Sequence, residues 1–115
     1  MQYAMFVVVD PDAEPYVAAE DDYAEWDAAL ERRGVLFDKR RLRPADEATT
    51  LKVRGGELII SDGPFTESKE WIAGFALLEC ADLDEAIGIA RTHSMARFGR
   101  IELRPLARAN GDPLE

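Results

Sequence analysis

Ionisable side chains are concentrated in a short stretch between two apolar runs, at residues 58–60 and 75–78. The stretch begins with a turn signal, because Gly63 permits unusual backbone angles and Pro64 fixes its own φ. A carboxylate in such a loop, partly covered by aromatic rings, can have a pKa high enough for general-base catalysis. Asp62 is therefore the candidate catalytic base, and the candidate ligand-binding residues around it are Gly63, Pro64, Phe65, Glu67 and Lys69.

A purely structural explanation of the same stretch stays open. The side chain of Asp62 can close the following turn through an Asx hydrogen bond. Glu67, Lys69 and Glu70 can form ion pairs at the start of a helix, where the helix dipole favours acidic groups. As a ligand contact, Lys69 would instead supply a cation for an anionic group of the substrate.

The chain contains one histidine, His93, at the end of a predicted helix. The helix dipole favours a protonated imidazole at that position, which is a sufficient structural reason for the residue. As a catalytic group, His93 would assist Asp62 in acid–base chemistry, and this requires an orienting carboxylate and a pocket. One histidine, one cysteine and scattered carboxylates show no metal-ligand spacing, so we expect no metal. The sequence also has no phosphate loop or dinucleotide fingerprint, so we expect no cofactor.

Charge limits the classes of partner. The 115 residues include 23 acidic and 14 basic side chains, a formal net charge of -9. Such a surface repels phosphate backbones and anionic membranes, so we expect neither nucleic acid nor membrane to bind. The basic runs at residues 32–33 and 39–43 are interpreted as solvated faces rather than as an anion site.

The compartment follows from the cysteine count and the apolar runs. Cys80 is the single cysteine and lies in an apolar run, which predicts a buried thiol in a reducing environment. No signal peptide is visible before the first predicted strand, and the apolar runs are far shorter than the roughly 20 residues that span a bilayer. We therefore expect a cytoplasmic protein.

The hydrophobic pattern predicts two βαβ-like halves joined by a hairpin. Residues 3–9 and 73–80 are apolar at odd and even positions alike, which is typical of strands buried on both faces. The other predicted strands are residues 35–42, the hairpin strands 51–54 and 57–60 around Gly55 and Gly56, and residues 101–104.

Two helices are predicted between these strands. The first is capped by Asp21 or Asp22 and ends at Gly34, and the second starts with the capping box of Asp82 and Glu85. Their apolar stripes are predicted at Tyr23, Trp26 and Leu30 in the first helix, and at Leu83, Ala86, Ile87 and Ala90 in the second.

The element order predicts the fold class. We expect one α+β domain at residues 1–108, a ferredoxin-like (βαβ-hairpin-βαβ) sandwich with a mainly antiparallel sheet, followed by a flexible tail at residues 109–115. Two helices can cover only one face of that sheet, whereas two of the strands are apolar on both faces. A second copy of the chain that covers the other face resolves this conflict, so we expect a homodimer.

The sequence resembles the YCII-related family, specifically the branch named for an Asp-Gly-Pro-Phe motif, which stands here at residues 62–65. Together with the flanking matches, the resemblance covers nearly the whole chain. The matching segments are residues 3–9, 33–36, 49–54, 61–65, Glu67, 69–70, 74–75, 82–86, His93 and 101–105.

The resemblance implies a dimeric α+β barrel, but it implies much less about chemistry. The wider fold group includes isomerases, dehalogenases, monooxygenases and ligand-sensing modules, so its fold is a weak guide to activity. The simpler branch of the family is thought to use a histidine on its first helix with an aspartate further on. Here the first helix contains Tyr23 and Trp26 but no histidine.

Two functions stay open at this point. The first is a dimeric protein that binds a small molecule and has acid–base activity on a small polar organic substrate, through Asp62 assisted by His93 or Lys69. The alternative is a non-enzymatic accessory or regulatory protein, because some members of the branch are encoded beside, or fused to, extracytoplasmic-function sigma factors. A sigma factor is then the candidate partner.

Overall fold

The computed structural model describes residues 1–64 and 69–108 of the chain. In chain order its elements are β1 (Gln2–Val9), α1 (Tyr23–Arg33), β2 (Leu36–Arg41), β3 (Thr49–Arg54), β4 (Glu57–Asp62), β5 (Trp71–Glu79), α2 (Leu83–Ala90), α3 (Met95–Phe98) and β6 (Arg100–Pro105). Short 3-10 turns at Ala18–Glu20 and Ala45–Glu47 lie in the connections. The predicted tail at residues 109–115 lies outside the described residues.

The main sheet has four strands in the order β2-β5-β1-β6, and every neighbouring pair is antiparallel. The connections β1-α1-β2 and β5-α2-β6 each join two strands that run in the same direction, with one strand between them. β3 and β4 pair only with each other and form a separate hairpin. These observations confirm an α+β fold with a mainly antiparallel sheet and a hairpin.

The core lies between the helices and one face of the sheet, which we call the helix face. Tyr3 and Met5 of β1 and Leu78 of β5 are buried there against Trp26 and Leu30 of α1. The indole Nε1 of Trp26 also donates a hydrogen bond of 3.0 Å to the carbonyl oxygen of Ile89, so it joins α1 to α2. The buried aromatic ring thus contributes both apolar area and a satisfied polar group.

Local sequence explains where the helices begin and end. The Asp82 carboxylate accepts a hydrogen bond from the Glu85 N–H at 2.9 Å, as the capping box predicts. Gly34 ends α1 with a φ of 72°. The predicted stripe of α2 is partly wrong. Its buried residues are Ala86, Ile89 and Ala90, whereas Leu83 and Ile87 are about half exposed. This short helix is apolar on more than one side, so the apolar pattern alone does not decide which side packs.

The face of the sheet opposite the helices, which we call the open face, is apolar at its centre. The strand register places Phe6 beside Phe75, and Val8 beside Ile72, on this face. Phe6, Val8 and Phe75 are only partly buried, and Ile72 is exposed. In the described part of the chain, no helix packs on this face.

The hairpin presents a second apolar surface. Gly55 and Gly56 form its turn with φ angles of 57° and 80°, a conformation that glycine adopts at little cost. Leu51 pairs with Ile60, and Val53 pairs with Leu58, so all four side chains lie on the same side of the hairpin. Each of the four is more than half exposed.

The close approach of α3 to β1 gives a test of the packing. A Cβ atom at Gly99 would lie 2.3 Å from the carbonyl oxygen of Val8, whereas a Cβ at Gly88 in α2 would meet nothing within 4 Å. We predict that Gly99→Ala lowers the free energy of unfolding by about 1–3 kcal/mol through overpacking. Gly88→Ala should raise it by about 0.5–1 kcal/mol through helix propensity. Urea denaturation of both variants measures the difference, and a Gly99→Ala protein as stable as Gly88→Ala would contradict the packing described here.

Candidate functional site

A groove of about 1180 Å³ opens on the helix face of the sheet, beside the first turn of α1 and beside α3. Its floor is apolar and includes Val7 and Val9 of β1 and Ala76 of β5. Its walls carry aromatic and polar side chains from elements that are far apart in sequence: Tyr16, Asp21, Tyr23, Trp26, Lys39, Arg41, Trp71 and His93. An apolar floor with a few convergent polar groups is typical of a small-molecule site.

His93 lies where the wall of the groove meets the core, in the turn between α2 and α3. The residue is 6% exposed. Its imidazole packs edge-on against the indole of Trp26, with ring centres 4.6 Å apart, and its centre lies 5.2 Å from that of the Tyr23 ring. The imidazole Nδ1 accepts a hydrogen bond of 2.9 Å from the backbone N–H of Met95.

These contacts determine the protonation of His93. Burial lowers the pKa of the imidazole, and the Asp21 and Asp22 carboxylates only partly oppose that shift. A neutral imidazole has one N–H, and the nitrogen that accepts from Met95 cannot carry it. The proton is therefore assigned to Nε2, for which no described residue is a hydrogen-bond partner. The expectation of a protonated imidazole at a helix end is wrong, because α2 ends at Ala90 and the ring is buried.

Asp21 is the carboxylate of the groove wall, and its oxygens already accept hydrogen bonds. The Tyr16 hydroxyl donates to Oδ2 at 2.5 Å, and the backbone N–H of Tyr23 donates to Oδ1 at 3.0 Å. The Tyr16 hydrogen bond is the main reason why the pKa of Asp21 is lowered, and the same bond raises the pKa of Tyr16. At neutral pH, Asp21 is thus an ionised acceptor rather than a ready general base.

The loop that carries Tyr16 is attached to α3. The Arg97 guanidinium forms ion pairs with Glu14 at 3.1 Å and with Glu20 at 2.9 Å. The Tyr16 ring packs edge-on against Phe98 at 5.3 Å between centroids. These contacts join residues of the loop before α1 to a helix that is about eighty positions away in the chain, and they hold that side of the groove together.

The opposite wall is formed by the end of β2 and is basic. Lys39 forms ion pairs with Asp27 and with Glu31, both in α1. Arg43 forms an ion pair with Glu47 at 2.9 Å. Among the residues that the structure describes, Arg41 has no such carboxylate partner.

The predicted site loop lies away from this groove. Asp62 ends β4, is exposed and does not line the groove. The Gly63 N–H donates to the Ala48 carbonyl at 2.7 Å, and the Gly63 carbonyl accepts from the Thr50 hydroxyl at 2.7 Å. The start of the loop is therefore hydrogen-bonded to the residues at the beginning of β3.

The other predicted ligand-binding residues are not brought to the groove by the described structure. Pro64 and Lys69 are exposed, and Phe65 and Glu67 lie outside the described residues. Lys69 and Glu70 directly precede β5, so the chain does not continue from them into a helix. Of the predicted site residues within the described ranges, His93 alone lines the groove. The roles assigned to the loop stay predictions.

Tyr16, Asp21 and Arg41 line the groove, although the sequence patterns do not predict them as site residues. Tyr23 and Trp26 were noted only for their helical spacing, and the basic run of β2 was interpreted as a solvated face. A usable signal was present, since Lys39 and Arg41 share one parity of the strand and thus one face.

No group of three or more potential ligand side chains that could hold a metal ion occurs in residues 1–64 and 69–108. Within the same ranges, no helix is long and apolar enough to cross a membrane.

Sequence comparisons place these features in a family. Residues 1–110 match the YCII-related domain. The chain belongs to the YCII-related family. It is similar to an uncharacterized protein of Rhizobium meliloti, with 49% identity over 76 residues that cover 64% of this chain and 61% of that relative. This YCII-related chain thus spans less than two thirds of the relative's length, and the relative's name assigns it no activity.

Burial of a neutral His93 predicts how stability depends on pH. The unfolded chain binds a proton at the ordinary imidazole pKa of 6.5, whereas the folded chain binds it only at lower pH. The unfolded state therefore holds more protons below pH 6.5, and the free energy of unfolding should decrease as the pH falls through that value. Urea denaturation between about pH 8 and about pH 5 measures this dependence. His93→Phe should remove the part of this pH dependence that begins at pH 6.5. A protein whose stability is constant or increases on acidification across that range would contradict the assignment.

Proposed function

We propose that the protein binds a small organic molecule in the groove between the sheet, α1 and α3. The observation that supports this most directly is the position of His93: a buried neutral imidazole, fixed through Nδ1, faces an apolar groove with a nitrogen that no described residue uses. The Nε2–H is thus left to be satisfied from the groove, so a ligand oxygen that accepts its hydrogen bond would be stabilising.

The arrangement of hydrogen bonds favours binding over base catalysis. Asp21 has a lowered pKa and accepts two hydrogen bonds. The assigned tautomer of His93 presents a donor rather than a free lone pair to the groove. A neutral imidazole of this kind polarises an oxygen of the ligand but does not remove a proton from it. The acid–base activity predicted through Asp62 would need a second site at the hairpin, and it stays a prediction.

We further propose that the protein acts as a homodimer, with the ferredoxin-like sheets of two copies packed through their open faces into an α+β barrel. The partly exposed Phe6, Val8 and Phe75 support this, because an apolar sheet centre exposed to water is unfavourable. The Asp-Gly-Pro-Phe motif at residues 62–65 supports membership of the branch that bears its name. The sigma-factor partner and the cytoplasmic location stay predictions.

Intrinsic fluorescence tests binding in the groove. The chain has two tryptophans, Trp26 and Trp71, and both line the groove. We expect aromatic fragments from a panel of neutral, cationic and anionic compounds to change the tryptophan emission in a saturable way. Val9→Phe places a ring on the groove floor and should abolish the response. Leu83→Phe adds the same ring on exposed α2 and should leave the response intact. A panel without any response, or an equal response in both variants, would contradict the proposal.

Light scattering tests the dimer. We expect the unmodified protein to have twice the mass of one chain at micromolar concentration. Leu77→Lys places a charge on the open face beside Ala4 and should give a monomer that is still folded by circular dichroism. Val53→Lys changes the exposed apolar side of the hairpin instead and should remain dimeric. A stable monomer of the unmodified protein would contradict open-face pairing.

A further inference from the structure

The cations around the groove differ in how they are neutralised. Lys39 and Arg43 are each paired with carboxylates, and Arg40 on the same strand is paired with Asp38. Arg41 also lines the groove, yet no carboxylate pairs with it in residues 1–64 and 69–108. Among the groove's cations in the described residues, Arg41 is therefore the one whose charge is not neutralised by an ion pair.

Arg41 lies on the side of the sheet on which the groove opens. It is in register with Gly74 of β5, and Lys39 is in register with Ala76, so both basic residues are on the helix face. Gly74 is buried, and a Cβ there would lie 2.8 Å from the carbonyl oxygen of Arg40. The close approach of the two strands at Gly74 therefore fixes the backbone position from which Arg41 lines the groove.

Arg41 acts on the same aromatic wall as His93. Burial and the Asp27 carboxylate raise the pKa of Tyr23, whereas the charges of Lys39 and Arg41 lower it. The ring of Tyr23 lies 5.2 Å from that of His93. Arg41, Tyr23 and His93 line the same groove, and Arg41 and His93 are hydrogen-bond donors there.

We propose that the ligand of this groove is an organic anion, a carboxylate with an aromatic or aliphatic body, held by Arg41 and by the Nε2–H of His93. The guanidinium matches a carboxylate through two parallel hydrogen bonds. The imidazole N–H donates to an oxygen of the same ligand, and the body of the ligand packs on Val7, Val9 and the indole rings. This proposal rests on the proposed function, since it names the chemical class that the groove binds.

Three compounds with the same ring and different charge test the ligand class. Phenylacetate is the anion, phenylacetamide the neutral isostere and phenethylamine the cation. We expect phenylacetate to bind at least about tenfold more tightly than phenylacetamide, and phenethylamine to bind most weakly, in titrations followed by tryptophan emission. If the anion and the amide bind equally and Val9→Phe abolishes both, the anion proposal would be overturned, but the proposal of a ligand-binding groove would remain supported. If none of the three compounds binds, both the anion proposal and the proposed binding function would be contradicted.

Matched variants test the two donors. Arg41→Met should weaken the binding of phenylacetate by about tenfold or more and leave the affinity for phenylacetamide unchanged, because only the anion loses a charged partner. Arg41→Lys should recover part of the affinity, since lysine keeps the charge without the paired N–H groups. Arg32→Met, at the exposed end of α1, is the control and should change neither the phenylacetate affinity nor the phenylacetamide affinity. An unchanged phenylacetate affinity in Arg41→Met would overturn the role of Arg41.

His93 is tested by substitutions that separate its two nitrogens. His93→Gln can place an N–H near the position of Nε2, whereas His93→Asn can replace only the acceptor at Nδ1. We expect the asparagine variant to lose more phenylacetate affinity than the glutamine variant, with melting temperatures measured for both. Equal affinities in two folded variants would overturn the role of Nε2.

Discussion

The helices of this protein are too short to cover the face on which they pack. α1 has 11 residues and α2 has 8, which gives lengths of about 16 Å and 12 Å at 1.5 Å per residue. β5 has 9 residues, about 30 Å at about 3.3 Å per residue. The end of the sheet near Tyr3 and Leu78 carries the core, and the end near Val9 and Trp71 is left as the floor of a groove. The position of the site follows from this mismatch in length.

His93 lies at the boundary between these two regions, and its chemistry depends on both. The core side supplies Trp26 and burial, which keep the ring neutral. The other imidazole nitrogen, Nε2, to which the Met95 N–H does not donate, lies on the groove side. The donors of the groove are therefore set by backbone and packing, while Asp21, a carboxylate in the groove lining, is already engaged by Tyr16. A site of this kind binds and polarises an oxygen-bearing ligand.

Much of the fold could be predicted from local patterns. Residues 3–9 and 73–80 became β1 and β5, and the Asp82 and Glu85 pair capped α2 as expected. The site could not be predicted in this way, because its walls come from segments separated by up to about eighty residues. The basic face of β2 was also obscured by an irregularity in its register between Leu36 and Asp38. Side chains normally alternate between the two faces of a strand, and such an irregularity shifts the alternation by one residue. Regular alternation from Leu36 would therefore place Arg41 on the open face, whereas it lies on the helix face.

The protonation state of His93 is the most direct test of this account, and the chain has no other histidine to complicate it. ¹⁵N NMR of the imidazole at neutral pH, with and without phenylacetate, distinguishes the possible forms. We predict a neutral ring with an unprotonated Nδ1 and a protonated Nε2, and a change in the Nε2 resonance when phenylacetate is added. A ring protonated at Nδ1, a charged imidazolium at neutral pH, or an Nε2 resonance that is insensitive to phenylacetate would contradict it.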